Sequence, residues 1–187
     1  VLTQLETEAS NDSNKLFAQS NLMKLAFDAD DMTTAAKYAN SLAANTKVDK
    51  RIKADATAIS ARVAFVNKDT TTARKLYEQL NGIATGGLKA EALYYDAYFK
   101  NADKKYDASN KVVEKLVKEY AAYKYYNAKG LVVLAKNFYQ LKDSYQATYV
   151  LENVIASATD FTDVVTEAKA ELAKIKTEEA KRNSSVK

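Results

Sequence analysis

One short phrase returns along this chain at a nearly constant interval, and that recurrence constrains the fold more than any other feature. The phrase is an apolar residue, two mostly polar residues and a second apolar residue. It appears as LTQL at Leu2 to Leu5, ANSL at Ala39 to Leu42, YEQL at Tyr77 to Leu80, VEKL at Val113 to Leu116 and LENV at Leu151 to Val154. The closing positions 5, 42, 80, 116 and 154 are separated by 37, 38, 36 and 38 residues. Seven residues before the last four of them stands a small residue: Ala35, Ala73, Ser109 and Ala147. A polar, turn-like cluster precedes each of these: DADDMTT, NKDTTT, NADKKYD and LKDSYQ. A period of this size marks a chain built from stacked supersecondary units.

The units read as helical. Proline is absent, glycine occurs 4 times and alanine is abundant, so good helix formers meet few breakers. Each period carries two amphipathic patterns. In the fourth, Ala128, Leu131, Ala135, Phe138 and Tyr139 fall at three- and four-residue steps, and Ala147, Val150, Leu151 and Val154 do the same after the turn. Neither helix can bury its stripe alone, whereas stacked pairs bury it against their neighbours.

A period near the ~34 residues of the tetratricopeptide repeat, two helices per unit and a small residue followed by an apolar one in the second helix together resemble that repeat. FYQLKDSYQATYVLENVI looks like its end of first helix, turn and second helix, and KKYDASNKVVEKL looks like the same segment again. The resemblance implies an all-α fold: a right-handed α-α superhelix, or solenoid, of about four hairpins with a C-terminal capping helix. It departs from the family in a slightly long period, in lacking the usual tryptophan and proline, and in Met23, which stands where the first helix wants a small residue. Other helical-hairpin repeats stay open as alternatives. The long period and the tyrosine-rich last repeats are similar to tetratricopeptide proteins of bacterial cell envelopes, which favours the periplasm or envelope over the cytoplasm without fixing the compartment.

The expected divisions are a single solenoid over 1–187, with a remnant of a preceding repeat at 1–10, repeats at 14–46, 49–84, 88–121 and 124–158, and a capping helix at 162–182. VLTQLETEAS reads as the last turns of a second helix, so further repeats are expected upstream. Thr162 is placed to cap the final helix, whose stripe is Val164, Val165, Ala168, Leu172 and Ile175 before the polar end KTEEAKRNSSVK.

Cysteine and histidine are both absent, which removes disulfides, thiol nucleophiles, histidine bases and the usual zinc ligands. Neither a metal nor a cofactor is expected. The net charge of +4 comes from 28 basic and 24 acidic residues that are interspersed, a pattern of solvated surface rather than of a nucleic-acid footprint. No apolar run approaches the ~20 residues of a membrane span.

Four aromatics crowd ALYYDAYFK, Ala92 to Lys100. On a helical wheel of ~100° per residue, Tyr94, Tyr98, Tyr95 and Phe99 spread over much of the circumference, with Leu93 and Ala97 on the remainder. A helix apolar nearly all round must be covered on most sides. Most of these rings are therefore expected to be interhelical packing, and Asp96 interrupts any basic stripe that a base-stacking platform would need.

Registration of the repeats gives a candidate site. In the family it resembles, first helices line the concave face. The residue after the small packing position is Lys24, Arg62 and Lys136 in repeats 1, 2 and 4, at intervals of 38 and 74. In repeat 3 it is Tyr98, or Asp96 if the register shifts by two. The expectation is a groove with a broken basic spine flanked by Phe27, Phe65 and Tyr139, suited to an extended peptide or acidic segment. The competing reading is three coincident surface cations. The lysine/asparagine clamp for a C-terminal carboxylate is not recognisable, although Asn21 and Asn137 are present.

Other motifs fall short. GIATGGLK, Gly82 to Lys89, lacks the lysine and hydroxyl residue of a phosphate loop and is expected to be a flexible connection between repeats. DADD at Asp28 to Asp31 lacks the glycine and the glutamate of a calcium loop. Glu178 and Glu179 are adjacent, so on a helix they point apart. NSS at Asn183 is a minimal sequon expected in a disordered tail. The leading reading is a non-catalytic scaffold for a protein or peptide partner. A helical-repeat nucleic-acid binder is the alternative, and an enzyme working from Lys, Tyr, Asp and Glu alone is a third reading.

Overall fold

The computed structural model describes residues 1–184. Every regular element among them is a helix: α1 (Leu2–Glu8), α2 (Asp12–Asp28), α3 (Met32–Ala44), α4 (Lys50–Val66), α5 (Thr70–Ile83), α6 (Gly86–Ala102), α7 (Tyr106–Glu119), α8 (Lys124–Gln140), α9 (Ser144–Ser157) and α10 (Thr162–Ser184). The all-α fold class is as expected. The chain forms two compact units, Val1–Ala92 and Leu93 onward, with the boundary inside α6. Within each unit, helices adjacent in sequence pack together: α1 on α2, α2 on α3, α3 on α4 and α4 on α5 in the first, and α7 on α8, α8 on α9 and α9 on α10 in the second.

The recurring phrase is the buried seam of every second helix. In the first unit it places Ala35, Ala39 and Leu42 on α3 and Ala73, Tyr77 and Leu80 on α5; in the second, Ser109, Val113 and Leu116 on α7 and Ala147, Leu151 and Val154 on α9. All twelve are at most 1% exposed, which is what steps of four and three residues produce on one helix face. Ser109 satisfies its buried hydroxyl by donating to the Ala97 carbonyl at 2.8 Å.

The first helices carry a matching row of small residues. Ala18, Ala56 and Ala92 in the first unit and Gly130 in the second recur at 38, 36 and 38 residues, and all are buried. Small side chains here let two helices approach closely. A Cβ on Gly130 would stand 3.0 Å from Leu116 Cδ2 and 3.4 Å from Val113 Cγ1. Met23 is fully buried at the position that Ala61, Ala97 and Ala135 occupy elsewhere, its flexible thioether filling the core of the first unit with Ile59 and Leu42.

Each hairpin turn is the same object. Asp30, Lys68, Lys104 and Lys142 adopt positive φ of 60°, 61°, 61° and 70°. In the first, Asp31 N–H reaches the Ala26 carbonyl and Asp30 N–H reaches that of Phe27, the paired bonds of a Schellman motif. The same pair forms at Asp69 and Lys68, Lys105 and Lys104, and Asp143 and Lys142. The next residue then caps the second helix: Asp31, Asp69 and Asp143 accept from the N–H of Thr34, Thr72 and Gln146. Lys105 holds that place in the third turn and provides no cap. The polar clusters of the sequence are thus stop-and-start signals one residue apart.

Two local expectations are corrected. The glycine-bearing segment GIATGGLK is mostly helical: α5 runs through Gly82 to Ile83 and α6 begins at Gly86, leaving Ala84 and Thr85 between them. Packing overrides the weak helix propensity of glycine there. Thr162 is the first residue of α10 rather than its cap, because the Phe161 carbonyl already accepts the first helical bond from Val165 N–H. α10 continues through Ser184, so Asn183 and Ser184 of the sequon are helical and Ser185 lies outside the described residues.

Candidate functional site

The predicted spine residues project from the first helices, and each meets an acid on the next first helix along. On α2, Lys24 Nζ lies 2.6 Å from Asp55 Oδ2 of α4. On α4, Arg62 donates from Nε to Glu91 Oε1 at 2.7 Å and from Nη2 to Glu91 Oε2 at 2.5 Å. On α8, Lys136 Nζ lies 2.6 Å from Glu167 and 3.7 Å from Glu171 of α10. The spine is therefore a row of interhelical ion pairs. Glu91 is 1% exposed and accepts a third hydrogen bond, from the Tyr77 hydroxyl at 3.2 Å.

In the first unit, Lys24, Phe27 and Arg62 border one open hollow of about 210 Å³ floored by Ala58, Ile59 and Leu88. The Arg62 guanidinium lies 5.5 Å from the centre of the Phe27 ring, a cation–π contact that fixes the aromatic wall. Phe65 is half-buried and does not line this hollow. In the second unit, Lys136 and Tyr139 border another hollow of about 280 Å³ with Asn101, Tyr106 and Lys174. The Tyr139 hydroxyl donates to Glu178 Oε2 at 2.6 Å. Asp96 and Tyr98 line neither hollow. Asp96 pairs with Lys100 one turn along α6, and Tyr98 stands edge-on to Phe99 with ring centres 5.5 Å apart.

The aromatic run behaves as packing. Tyr94 and Phe99 are buried, and Tyr95 and Tyr98 are half-buried among neighbouring rings. Lys129 of α8 sits 5.0 Å above Tyr94 and 5.3 Å above Tyr125. Lys129 lies 38 residues after Glu91, the position of the paired acid, while Tyr98 takes the place of the cation. At this step the positive charge has changed helices and binds ring faces in place of a carboxylate. Burial drives the Tyr94 hydroxyl well above the usual tyrosine range. Burial, together with a 2.8 Å hydrogen bond to Asp163, pushes Tyr125 up to about 12.

Asp55, Glu91, Glu167 and Glu171 were not singled out from sequence. One signal for two of them was present: Asp55 and Glu91 recur 36 residues apart, in step with Lys24 and Arg62. Among the described residues no cluster of three or more histidines, cysteines or carboxylates is arranged to hold a metal ion, and no helix is long and apolar enough to cross a membrane. No protein-family model matches the chain, and no curated protein matches it.

Proposed function

We propose that the chain is a non-catalytic scaffold, a tetratricopeptide-like array of helical hairpins that holds a protein or peptide partner along its first helices. One observation carries the reading. Lys24, Phe27 and Arg62 come from positions up to 38 residues apart, yet border a single open hollow with an aromatic wall and an apolar floor. Paired charges at its rim offer donors and acceptors to a bound segment, while the ring and the floor offer apolar area. Because each spine cation is matched by an acid, the partner at this hollow is selected by shape and by both signs of charge.

The test is affinity capture from native lysate with the natural protein and with Phe27→Ala and Lys136→Ala variants. A partner held by the natural chain and lost from Phe27→Ala supports the reading. Identical captured material from all three proteins would sink it. Binding that collapses steeply with added salt marks a nucleic acid instead.

A further inference from the structure

We propose that the groove between the N-terminal halves of α2 and α4 is a docking slot for an extended acidic peptide segment, with an apolar side chain beside Phe17 and a neighbouring carboxylate on Arg51. This rests on the scaffold reading and names the chemistry of the partner. The groove encloses about 380 Å³ and is lined by Leu16, Phe17 and Ser20 of α2 and by Arg51 and Ile52 of α4. It lies one to two turns before the hollow at Phe27.

Three features call for a ligand. Phe17 is 58% exposed at the rim, while Leu16 and Ile52 are half-buried beneath it, so an incoming apolar side chain gains a ring face and an aliphatic floor. Ser20 is only 7% exposed, yet its hydroxyl makes no hydrogen bond among the described residues. A nearly buried hydroxyl without a partner is unfavourable, and the backbone of an extended peptide supplies both a donor and an acceptor for it. The third feature is charge. Lys24, Lys47 and Arg51 line the groove with Asp49 and Asp55. Asp55 is engaged by Lys24 at 2.6 Å, Asp49 accepts from Ile52 N–H at 2.8 Å, and Lys47 is tied to Asp12 at 2.5 Å. Arg51 is exposed and makes no ion pair or hydrogen bond among the described residues. An arriving carboxylate therefore meets an uncommitted guanidinium, and an arriving ammonium meets only committed acids. Bidentate Arg–carboxylate geometry adds orientation to that preference.

The experiment uses the whole chain and two fluorescent ten-residue peptides with both ends blocked, one of glutamate, leucine and serine and the other with lysine in place of glutamate. Anisotropy gives the affinities. The acidic peptide is expected to bind about tenfold or more tightly than the basic one. Arg51→Glu should remove that preference, Phe17→Ala should weaken binding about fivefold or more, and Ser20→Ala should weaken it a few-fold while leaving the helical circular dichroism intact. Lys118→Glu on α7 should change nothing. Equal affinity for the two peptides, or an acidic preference untouched by Arg51→Glu, would overturn the slot. If acidic binding ignores Arg51→Glu and falls with Phe27→Ala, the slot is overturned while the scaffold reading survives.

Discussion

The carboxylate of Glu91 on α6 is sealed from solvent, and both of its oxygens are held by the guanidinium of Arg62 on α4, at 2.7 and 2.5 Å. Two parallel N–H···O bonds of this kind are short, directional and strong. The Tyr77 hydroxyl adds a third bond from α5. One buried carboxylate thus ties three helices together, and it tolerates burial only because its partners are in place.

Removing the cation should cost more than removing the pair. Arg62→Met leaves a buried carboxylate without its counter-charge and is expected to lower stability by about 3–5 kcal/mol. Glu91→Gln keeps a hydrogen-bonding group and should cost less. The double variant Arg62→Met/Glu91→Leu should recover most of the loss, because no uncompensated charge remains. Urea unfolding of the three proteins checks the order. A charge reversal at Arg62 would report unfolding as much as binding, so Phe27→Ala is the cleaner probe of the hollow.

The hairpin turns should be improvable. Lys68 sits at φ 61°, where a Cβ crowds the backbone and glycine does not. Lys68→Gly is expected to raise stability by about 0.5–1 kcal/mol despite the greater freedom of the unfolded chain, whereas Lys68→Val should lower it. At the third turn, Lys105 has φ −89° and ψ 60°, close to the −79° and 76° of the capping residue Asp69. Lys105→Asn should therefore install the missing cap, worth about 1 kcal/mol. The natural caps carry an acid signature: hydrogen bonds from Thr34 and Thr72 hold the carboxyls of Asp31 and Asp69 below the usual range. Their stabilisation is complete above the unfolded value of about 3.9 and fades as pH falls below it toward the lowered folded values. The neutral amide cap installed by Lys105→Asn would not fade. Thermal melts between about pH 2 and 7 distinguish the two.

Two glycines should respond in opposite directions to the same change. Gly82 lies in α5 with nothing within 4 Å of an added Cβ, so Gly82→Ala should stabilise by roughly 0.5–1 kcal/mol through helix propensity. Gly130 faces Leu116 and Val113, both fully buried and unable to retreat. Gly130→Ala should lose its propensity gain to overpacking, and Gly130→Val should destabilise by about 2 kcal/mol or more. Equal melting shifts for the two alanine variants would show that the seam at Gly130 is loose.

Alkaline titration should reveal the tyrosine cluster. Exposed tyrosines ionise near pH 10. Tyr125 is pushed up to about 12, first by burial and then by its bond to Asp163, and Tyr94 is raised further by burial. The folded state therefore holds these protons more tightly than the unfolded chain does. Their contribution to stability is complete below about pH 10 and disappears as pH climbs toward about 12. Ultraviolet difference spectra should show a late-titrating fraction, and Asp163→Asn should bring part of it down toward about 10.

The hairpin was legible because its signals are local and repeated. Leu42, Leu80, Leu116 and Val154 announce the seam by spacing alone, and Lys-Asp at 68 and 69 and again at 142 and 143 announces the turn. GIATGGLK was less legible, because its glycines speak for a loop while the packing of α5 and α6 holds most of it helical. Of the candidate site, Lys24, Phe27 and Arg62 were found by register, and Lys136 with Tyr139 likewise. Asp96 and Tyr98 lie apart from both hollows.

Sequence alone determined that this chain is helical, where its second helices bury their faces and where its hairpins turn, since those follow from propensity, side-chain spacing and one-residue caps. The tertiary structure decided what the spine cations are for. An ion pair such as Arg62 with Glu91, held at 2.7 Å, depends on which side chains of two packed helices arrive together, and no periodicity within one helix encodes that distance.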